Sequence, residues 1–392
     1  MNRDQGKSPP RLTLSNCYGT DNVGDQAILT CMIELLQSNL GRVEIDVLSR
    51  WPAKTRRRHG GVNAVRSGII TGSWATCRSI RRAEMLVFGG GGIIQDASSL
   101  GNLLFHLSRL ALAILFRTPF VGCGIGVGPI KSRAGRWLTS KILNRADGLY
   151  VRDDASAILL RGININRPPT VITSDFANAL IPAENFGEEP VYQQVTKLRR
   201  QSDCLVGLSL RPQAGKHRQP NKLSPGFADA IRAIARACDE LIEDKNATIV
   251  FIPMEPREDN ALAQTFLPLV HNRNKVLVLP GELKPKVVMS IVGLMDILLG
   301  MRLHSLIFGA QTFVPMIGLD YDPKITGFLN SLGLSGQILR IAELDSEKVR
   351  DLIEQTLSRR DEIRQSLREH APKLTANVER NVKAIAELLA KR

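Results

Sequence analysis

The sequence predicts an α/β fold divided into two domains. Short apolar strands alternate with helical patterns along most of the chain, which is typical of parallel sheets with helices on both faces. The length of 392 residues is more than one core usually holds. The alternation weakens once, in a polar stretch with Pro and Gly, and then starts again. We therefore expect two domains that share one architecture.

The pattern also gives the expected domain bounds. Residues 1–10 are polar and predicted to be disordered, and residues 11–185 form an N-terminal domain. The polar stretch 186–202 is the predicted linker, and residues 203–345 form a C-terminal domain. Residues 346–392 are charged, have helical spacing, and are predicted to form C-terminal helices.

Each strand of the N-terminal domain is predicted from an apolar run that ends in a polar or glycine-rich turn. The first run, LTLSNCYG, precedes a helix, AILTCMIELLQSNL, with apolar residues at helical spacing. The later strands are RVEIDVLS, MLVFGGGG, PFVGCGIGVGPI, ADGLYVRD and TVITSD, with the helix DASAILLRG before the last.

The C-terminal domain repeats this alternation. It begins with the strand CLVGLSLRP, the periodic helix FADAIRAIARACDELIED and the strand ATIVFIPM, and VLVLPG is a further short strand. We expect VMSIVGLMDILLG to be an apolar strand that ends at Gly300, followed by a helix and the strand VPMIGL. Ligands of α/β sheets bind beyond the carboxyl ends of the strands, so the residues after these strands are candidates for a site.

Arg302 and His304 follow the strand that ends at Gly300, and an acidic and basic tip containing Asp320, Tyr321 and Lys324 follows the next strand. Arginine supplies a rigid fork for carboxylate or phosphate, and histidine exchanges a proton near neutral pH. Together they indicate an anionic substrate and a proton transfer. The alternative for His304 is a hydrogen-bonded core histidine.

Two more groups are expected at the same edge. Arg211 ends the strand VGLSLRP and is a candidate anion anchor, or else a surface arginine. The segment MEPRED is read as a polar loop, in which Glu255 or Asp259 contacts an acceptor or is simply solvated.

Three glycine-rich turns follow strands of the N-terminal domain and predict a cleft at that edge. The first contains Gly24 and Asp25 at the start of a helix, which either binds an anion or is only a capped turn. The second is Phe88-Gly-Gly-Gly-Gly-Ile-Ile, followed by Asp96, a candidate base or helix cap. The third is the turn in GCGIGVGP. The second turn lacks the spacing of a Rossmann dinucleotide motif.

The bulk composition limits the partners. The net charge of +14 favours anionic substrates, anionic lipid or polyanions, and the basic residues are read as scattered apart from the cluster Lys54–His59. That cluster is interpreted as a solvated loop, with contact to lipid headgroups as the alternative. His59, His217, His271 and His370 are expected at the surface, and no His/Asp/Glu set has metal-site spacing.

The compartment is predicted to be the cytoplasm. Six cysteines form no CxxC pair, which fits a reducing setting. The polar start MNRDQGKSPP is not a signal peptide, and no run reaches the roughly 18 apolar residues of a membrane span.

The quoted stretches together resemble the polysaccharide pyruvyl transferase family. The matching elements are GTDNVGDQAIL, FGGGGIIQD, GIGVGPI, YVRDDASAILLRG, SDFANAL, GLSLRP, FIPMEPRED and GMRLHSLIFGAQTFVPMIGLDYDPKITGFL. They span roughly residues 12 to 335 in the family's order, and the Arg-Leu-His element is the most specific. The form is close to bacterial members that act on cell-wall or exopolysaccharide precursors.

This resemblance implies two Rossmann-like domains that face a cleft, as in B-type glycosyltransferases. It implies transfer from phosphoenolpyruvate to two hydroxyls of a sugar, with a cyclic ketal and phosphate as products and no cofactor. Arg211 and Arg302 would bind the donor, Leu303 would contribute through its backbone, and Lys324 would contact phosphate. His304 would be the general acid and Asp96 the base. Candidates for the cleft or the acceptor are Gly24, Asp25, Gly91, Gly92, Gln95, Glu255, Asp320 and Tyr321.

The implied acceptor is a saccharide, and a lipid-linked one would place the enzyme at the inner face of the cytoplasmic membrane. The nearest alternative is a B-type glycosyltransferase that uses a nucleotide sugar. A basic nucleic-acid-binding protein is disfavoured because the chain has 5% aromatic residues and no recognisable module. An inactive scaffold is disfavoured by the Arg-Leu-His element. The sequence does not indicate an oligomeric state.

Overall fold

The computed structural model describes residues 8–68, 73–97, 99–182, 189–213 and 223–391. Contacts divide the chain into two units. The first comprises Met1–Thr20, Asp25–Ala179 and Leu374–Arg392, and the second comprises Asp21–Gly24 and Leu180–Lys373. Most of the expected disordered start, residues 1–7, lies outside the described residues, as do His217 and residues 183–188 around the start of the predicted linker.

The first unit is built on a parallel sheet with the strand order β3-β2-β1-β4-β5-β6-β7. The five inner strands are almost entirely buried, as expected for a sheet covered by helices on each side, and the edge strands β3 and β7 are partly exposed. They are β1 Arg11–Ser15, β2 Glu44–Ser49, β3 Asn63–Arg66, β4 Met85–Ile94, β5 Phe120–Val127, β6 Gly148–Val151 and β7 Thr170–Ile172.

Helices connect these strands in sequence. They are α1 Val23–Leu40, α2 Pro52–Arg58, α3 Ser73–Arg82, α4 Leu100–Phe116, α5 Arg133–Leu143 and α6 Asp154–Gly162. The chain moves from β1 to β3 in one direction across the sheet and from β3 to β7 in the other. Right-handed crossovers therefore place α1 and α2 on one face and α3 to α6 on the opposite face. One apolar core joins the sheet to α3, α4, α5 and α6.

The second unit has a parallel sheet with the order β10-β9-β8-β11-β12-β13. The strands are β8 Cys204–Ser209, β9 Ala247–Phe251, β10 Val276–Val278, β11 Ile297–Gly300, β12 Met316–Asp320 and β13 Ile338–Arg340. β8 and β11 are hydrogen-bonded neighbours, with Val206 opposite Ile297 and Ser209 opposite Gly300. The chain reverses direction across the sheet between these two strands.

The later helices are α7 Pro190–Gln201, α8 Pro225–Lys245, α9 Pro256–Phe266, α10 Pro285–Val292, α11 Leu303–Gln311, α12 Pro323–Ser331, α13 Ser346–Ser358 and α14 Arg360–Ala390. Five of them begin with proline, which lacks the N–H that a first helical turn leaves unused. Short 3₁₀ turns occur at Phe176–Ala179, Leu267–Leu269, Arg273–Lys275 and Ile341–Glu343.

Three expectations about local structure are wrong. The run VMSIVGLMDILLG is not one strand, because its first residues complete helix α10 and only Ile297–Gly300 form β11. The cluster Lys54–His59 is not a loop, because Pro52 opens helix α2 there. The segment MEPRED is not a loop throughout, because α9 begins at Pro256. Within the stretch expected to be a linker, residues Pro190–Gln201 form helix α7.

Helix α14 is divided between the units near Pro372, which lies inside it. Its later part belongs to the first unit, where the buried Asn381 accepts hydrogen bonds from the backbone N–H of Gly124 at 2.9 Å and the hydroxyl of Thr173 at 3.1 Å. This segment therefore completes the first unit, and residues far apart in the chain share one core.

Candidate active site

The candidate site of the second unit lies where its strand order reverses. Arg211 follows β8, and Arg302 and His304 follow β11, the neighbouring strand. Crevices beyond the carboxyl ends of strands at such a reversal are the usual ligand sites of doubly wound sheets. The strand ends thus bring Arg211, Arg302 and His304 to one edge of this sheet, as the sequence predicted.

Arg211, Tyr321 and Lys324 form a cluster at this edge. The Nη1 atom of Arg211 donates a hydrogen bond to the Tyr321 hydroxyl at 2.8 Å, and its guanidinium carbon lies 4.9 Å from the centroid of the same ring. The ammonium of Lys324 lies 5.3 Å from that centroid. The Nε atom of Arg211 is buried and has no hydrogen-bond partner among the described residues. Two cations are therefore held around one aromatic ring, an arrangement suited to an anion.

Asp320 and Asp322 have structural roles next to this cluster. Asp322 caps α12 by accepting the backbone N–H of Lys324, and its other oxygen accepts the Lys324 ammonium at 3.1 Å. Asp320 accepts the backbone N–H of Asp322 at 3.2 Å and the hydroxyl of Thr326 at 3.0 Å. These contacts orient the turn that presents Tyr321 and Lys324.

Arg302 is held by a buried carboxylate. Its guanidinium donates to Asp259 at 2.5 and 3.1 Å and to Glu258 at 3.3 Å. Asp259 is fully buried and also accepts the backbone N–H groups of Met254 and Glu255 at 2.9 and 2.8 Å. Burial raises the pKa of Asp259, although Arg302 and these N–H groups oppose it. The expectation that Asp259 is solvated or contacts an acceptor is wrong, because this carboxylate fastens Arg302 to the start of α9.

His304 packs against the backbone of Gly24, and both belong to the second unit. A Cβ atom on Gly24 would lie 2.1 Å from Nδ1 of His304, so this position has no room for a side chain. The Nε2 atom of His304 is buried, and Leu303 begins helix α11 beside it. The backbone N–H of Val23 donates to the carbonyl of Met254 at 2.8 Å and holds the segment in place. Gly24 thus serves close packing against the histidine.

Glu255 is the residue directly before helix α9, in the same unit as Arg302 and His304. Its half-buried carboxylate accepts a hydrogen bond from Asn22 and feels the positive charge of Arg302. Burial nevertheless raises the pKa of Glu255 above its ordinary value. A carboxylate with a raised pKa is a better proton acceptor than an ordinary surface carboxylate. Asn22 was not among the predicted residues, although it sits in the same turn as Gly24.

In the first unit the strand order reverses between β1 and β4, and the four glycines lie within β4 itself. A Cβ atom on Gly89 would lie 2.2 Å from the carbonyl oxygen of Cys123, and one on Gly90 would lie 2.1 Å from Ile28. Both have positive φ. Gly89 therefore lets β5 pack closely against β4, and Gly90 lets α1 pack closely against β4. Gly91 is buried and Gly92 is exposed.

Asp96 follows β4 and is engaged by three donors. Its carboxylate accepts the backbone N–H groups of Lys131 and Ser132 at 2.6 and 2.9 Å and the Ser132 hydroxyl at 2.6 Å. Desolvation acts to raise the pKa of Asp96, but these hydrogen bonds outweigh it and lower the pKa below its ordinary value. Asp96 therefore ties the end of β4 to the turn before α5. It does not cap the helix after the glycine-rich stretch, because Ser99 caps α4. Gln95 and Asp25 are half-buried in the same unit.

Arg152 is a further basic residue at a strand end, and it was not predicted. It follows β6 and forms ion pairs with Asp153 and the buried Asp175, each at 3.2 Å. A Cβ atom on Gly126 would lie 2.7 Å from its Nε atom. Its place directly after the strand GLYV is the signal that could have found it, as for Arg211.

Metal binding has no support in the parts of the chain that the structure describes, where no group of three or more His, Cys, Asp or Glu could hold an ion.

The expectation of a surface His59 is wrong. Its ring is buried and hydrogen-bonded to Gln26 at 3.0 Å, and burial with the nearby Arg58 lowers its pKa to about 4. No described helix has the length and apolar character needed to cross a membrane.

The two sheets define a fold class that solved structures share. A putative UDP-N-acetylglucosamine 2-epimerase from Listeria monocytogenes matches with a TM-score of 0.67 at 11% identity, over 98% of both chains. The UDP-GlcNAc 2-epimerase from Neisseria meningitidis matches with a TM-score of 0.64 at 13% identity, over 98% of this chain and 100% of that one. The fold is therefore that of B-type glycosyltransferases and epimerases, and the predicted fold class is confirmed.

Residues 22–323 match the family described as polysaccharide pyruvyl transferase. The chain belongs to the polysaccharide pyruvyl transferase family, as the resemblance of its motifs predicted. It is 20% identical over 400 residues to the amylovoran biosynthesis protein AmsJ of Erwinia amylovora, covering 91% of this chain and 94% of that protein. Membership of this family indicates that the protein is a transferase.

Proposed function

We propose that this protein transfers the pyruvyl group of phosphoenolpyruvate to two hydroxyls of a saccharide and releases phosphate. The observation that carries the proposal is the cluster of Arg211, Tyr321 and Lys324, at the edge of the second sheet where His304 also follows a strand. A small trianion needs several converging cations, and its protonation needs one acid. The match to polysaccharide pyruvyl transferases and the likeness to AmsJ support a saccharide acceptor.

The donor would be held mainly by Arg211 and Lys324. Arg211 keeps its Nε donor available among the described residues, and a guanidinium binds carboxylate or phosphate through paired N–H groups. Arg302 contributes positive charge to the same edge, but Asp259 and Glu258 engage its guanidinium. Its principal role is therefore to position the loop that carries Glu255. Leu303 would offer its backbone at the start of α11.

The reaction would begin with proton transfer from His304, as an imidazolium, to the methylene carbon of the donor. Positive charge then develops at C2, and a sugar hydroxyl forms a C–O bond there while losing its proton to a base. The bond from C2 to the phosphate oxygen breaks, phosphate departs, and the second hydroxyl closes the ring. Of the two hydroxyl protons, one restores His304 and one leaves with phosphate. Arg211 and Lys324 would stabilise the departing anion.

Geometry favours Glu255 over Asp96 as the base. The pKa of Glu255 is raised by burial, and its carboxylate belongs to the same unit as His304. Three hydrogen bonds lower the pKa of Asp96 and occupy both of its oxygens. Lowering a pKa weakens a base, so Asp96 is proposed to support the β4 turn instead.

Thermal unfolding with phosphoenolpyruvate tests the donor site. A ligand at 100 times its dissociation constant stabilises the folded state by about 2.7 kcal/mol. We expect the wild type to be stabilised by phosphoenolpyruvate, Arg211→Ala to lose most of this shift, and the control Arg200→Ala, an exposed arginine at the end of α7, to keep it. A shift in Arg211→Ala equal to that of the wild type would exclude this donor site.

The same measurement separates the alternative function. The similar epimerase from Neisseria meningitidis was solved with UDP-GlcNAc bound, which favours a nucleotide-sugar glycosyltransferase as the competing function. Stabilisation by a nucleotide sugar without any effect of phosphoenolpyruvate would support the glycosyltransferase and contradict the proposal of pyruvyl transfer.

A further inference from the structure

The positive charge of this chain is concentrated in one stretch of the first unit. Residues 47–146 contain 16 Lys or Arg and only two acidic residues, Glu84 and Asp96. Their balance of +14 equals the net charge of the whole chain, so the rest of the sequence is neutral. The basic residues themselves are scattered, since the other 292 positions hold 36 Lys or Arg, and the local positive charge arises because acidic residues are scarce in this stretch.

Helices α3, α4 and α5 carry this charge in a continuous layer. α4 packs against α3 on one side and α5 on the other, over the core of the first sheet. None of the three helices contains Asp or Glu. Six cations on the two outer helices are exposed, and none forms an ion pair within the described ranges. They are Arg78, Arg81 and Arg82 of α3 and Arg133, Arg136 and Lys141 of α5.

The central helix of this layer exposes an apolar ridge. Its outward positions are Leu100, Leu104, Ser108, Ala111 and Leu115, which recur at helical spacing. Leu115 is 71% exposed, and Leu100 and Leu104 are each 42% exposed. The opposite side of the helix is the core side, with Leu103, Leu107 and Leu110 buried. A surface helix of a globular protein ordinarily presents polar residues outward, so this ridge needs a partner.

Tryptophans flank the ridge. Trp74 in α3 is 80% exposed and Trp137 in α5 is 63% exposed. The chain has three tryptophans, and the third, Trp51, is also exposed but precedes α2 on the other face of the sheet. Tryptophan is enriched at the boundary between membrane and water, where its ring is apolar and its N–H is hydrated.

We propose that the α3–α4–α5 face of the first unit docks on an anionic lipid surface. The leucine ridge would enter the headgroup region, the two tryptophans would lie at its boundary, and the arginine rows would contact lipid phosphates. Apolar insertion combined with basic flanks is the pattern of peripheral membrane attachment. Docking of this face would be independent of the reaction catalysed in the second unit.

Charge complementarity favours lipid over other partners. A nucleic acid would use the arginines, but three exposed leucines offer nothing to phosphates or bases. A second copy of this chain would place two surfaces of the same sign together, which opposes association. An anionic bilayer matches the charge and the apolar ridge together.

Quenching of tryptophan fluorescence by brominated lipid tests the proposal on the full chain. Vesicles would contain equal parts phosphatidylglycerol and brominated phosphatidylcholine, with phosphatidylcholine vesicles as reference. We expect quenching in Trp51→Phe/Trp137→Phe, which keeps only Trp74. The matched variant Trp74→Phe/Trp137→Phe keeps only Trp51, and we expect it to be quenched far less. Equal quenching of both variants would exclude docking through this face.

Sedimentation with the same vesicles measures the contribution of charge. Each cation near an anionic membrane contributes about fivefold to partitioning, so Arg78→Gln/Arg82→Gln should bind about 25-fold more weakly. The control Arg200→Gln/Arg236→Gln removes two exposed arginines of the second unit and should bind like the wild type. Leu104→Ser/Leu115→Ser should also weaken binding. Failure of the wild type to sediment, association only with nucleic acid, or dimerisation abolished by the leucine variant would each overturn the proposal.

Discussion

Gly24 lies directly against the imidazole of His304, with only 2.1 Å between Nδ1 and the place where a Cβ atom would stand. The two residues are 280 positions apart in the sequence, and Val23 is fastened to Met254 beside them. Gly24, from the first glycine-rich stretch of the sequence, therefore packs against His304, the proposed general acid. Glycine is needed at position 24 because a Cβ atom would clash with His304. Backbone conformation is not the reason, since Gly24 does not have a positive φ.

The variant Gly24→Ala should displace His304. Overpacking typically costs about 1–3 kcal/mol, and a misplaced catalytic group can lose about 10²-fold in rate. Denaturant unfolding and pyruvyl-transfer assays would measure both losses. Gly226→Ala is the control, because a Cβ atom there meets nothing within 4 Å, and it should leave the rate unchanged. Full activity of Gly24→Ala would contradict the packing role.

Arg302→Ala should unfold the protein more readily, because it leaves the fully buried Asp259 without its cation. Breaking a buried ion pair costs about 3–5 kcal/mol, and replacing both partners by apolar residues is often tolerated. Leucine at position 259 would leave the backbone N–H groups of Met254 and Glu255 without an acceptor. We therefore expect Arg302→Met/Asp259→Asn, which removes both charges and keeps an accepting oxygen, to recover much of the stability in urea. The exposed pair of Arg359 and Glu362 provides the control, since Arg359→Ala should cost less than about 1 kcal/mol.

A comparison of Glu255→Gln with Asp96→Asn distinguishes the two candidate bases. Loss of a general base lowers the rate by about 10²–10⁴-fold, and we expect this effect in Glu255→Gln with donor stabilisation retained. Asp96→Asn should instead lower the free energy of unfolding, because its three donors lose a carboxylate acceptor. The assignment is reversed if Asp96→Asn is stable and inactive while Glu255→Gln is active.

The stability of the protein should fall on mild acidification. Burial lowers the pKa of His59 and of His106 to about 4, with help from Arg58 and Arg109 respectively, against 6.5 for an ordinary histidine. The unfolded state then binds protons more readily than the folded state, so stability present above pH 6.5 is lost as the pH falls towards 4. Each group should account for about 2 kcal/mol between pH 7 and 5.

Urea unfolding at these two pH values would measure this dependence. His59→Gln and His106→Gln should each reduce the difference in unfolding free energy between pH 7 and pH 5, whatever their stability at pH 7. His271→Gln is the control, because its side chain is 89% exposed. A pH difference unchanged by either buried substitution would rule out these histidines as its source.

The sequence predicted the strand–helix alternation well, because apolar period and glycine placement are local properties. It also placed Arg211, Arg302, His304 and Lys324 after strands, which parallel topology turns into a common sheet edge. It failed for VMSIVGLMDILLG, because the end of α10 and the strand β11 are both buried and their apolar run conceals the change of period.

Sequence patterns could not predict the side-chain contacts between residues that are distant in the chain. Asp259 looked like one acid in a polar segment, and only the fold reveals that it fastens Arg302. His59 lies among arginines, yet the turn after α2 buries its ring against Gln26. The spacing of such residues in the sequence does not indicate which side chains they contact in the fold.

The division of α14 has a consequence for synthesis of the chain. The second unit contains no residue beyond Lys373, whereas the first needs Leu374–Arg392, including Asn381 against Gly124 and Thr173. During translation, the first unit therefore lacks its last helical segment until the whole second unit has been synthesised. An amino-terminal fragment ending at Ala179 would expose the groups that Asn381 covers, so chaperone engagement should persist until α14 has been translated.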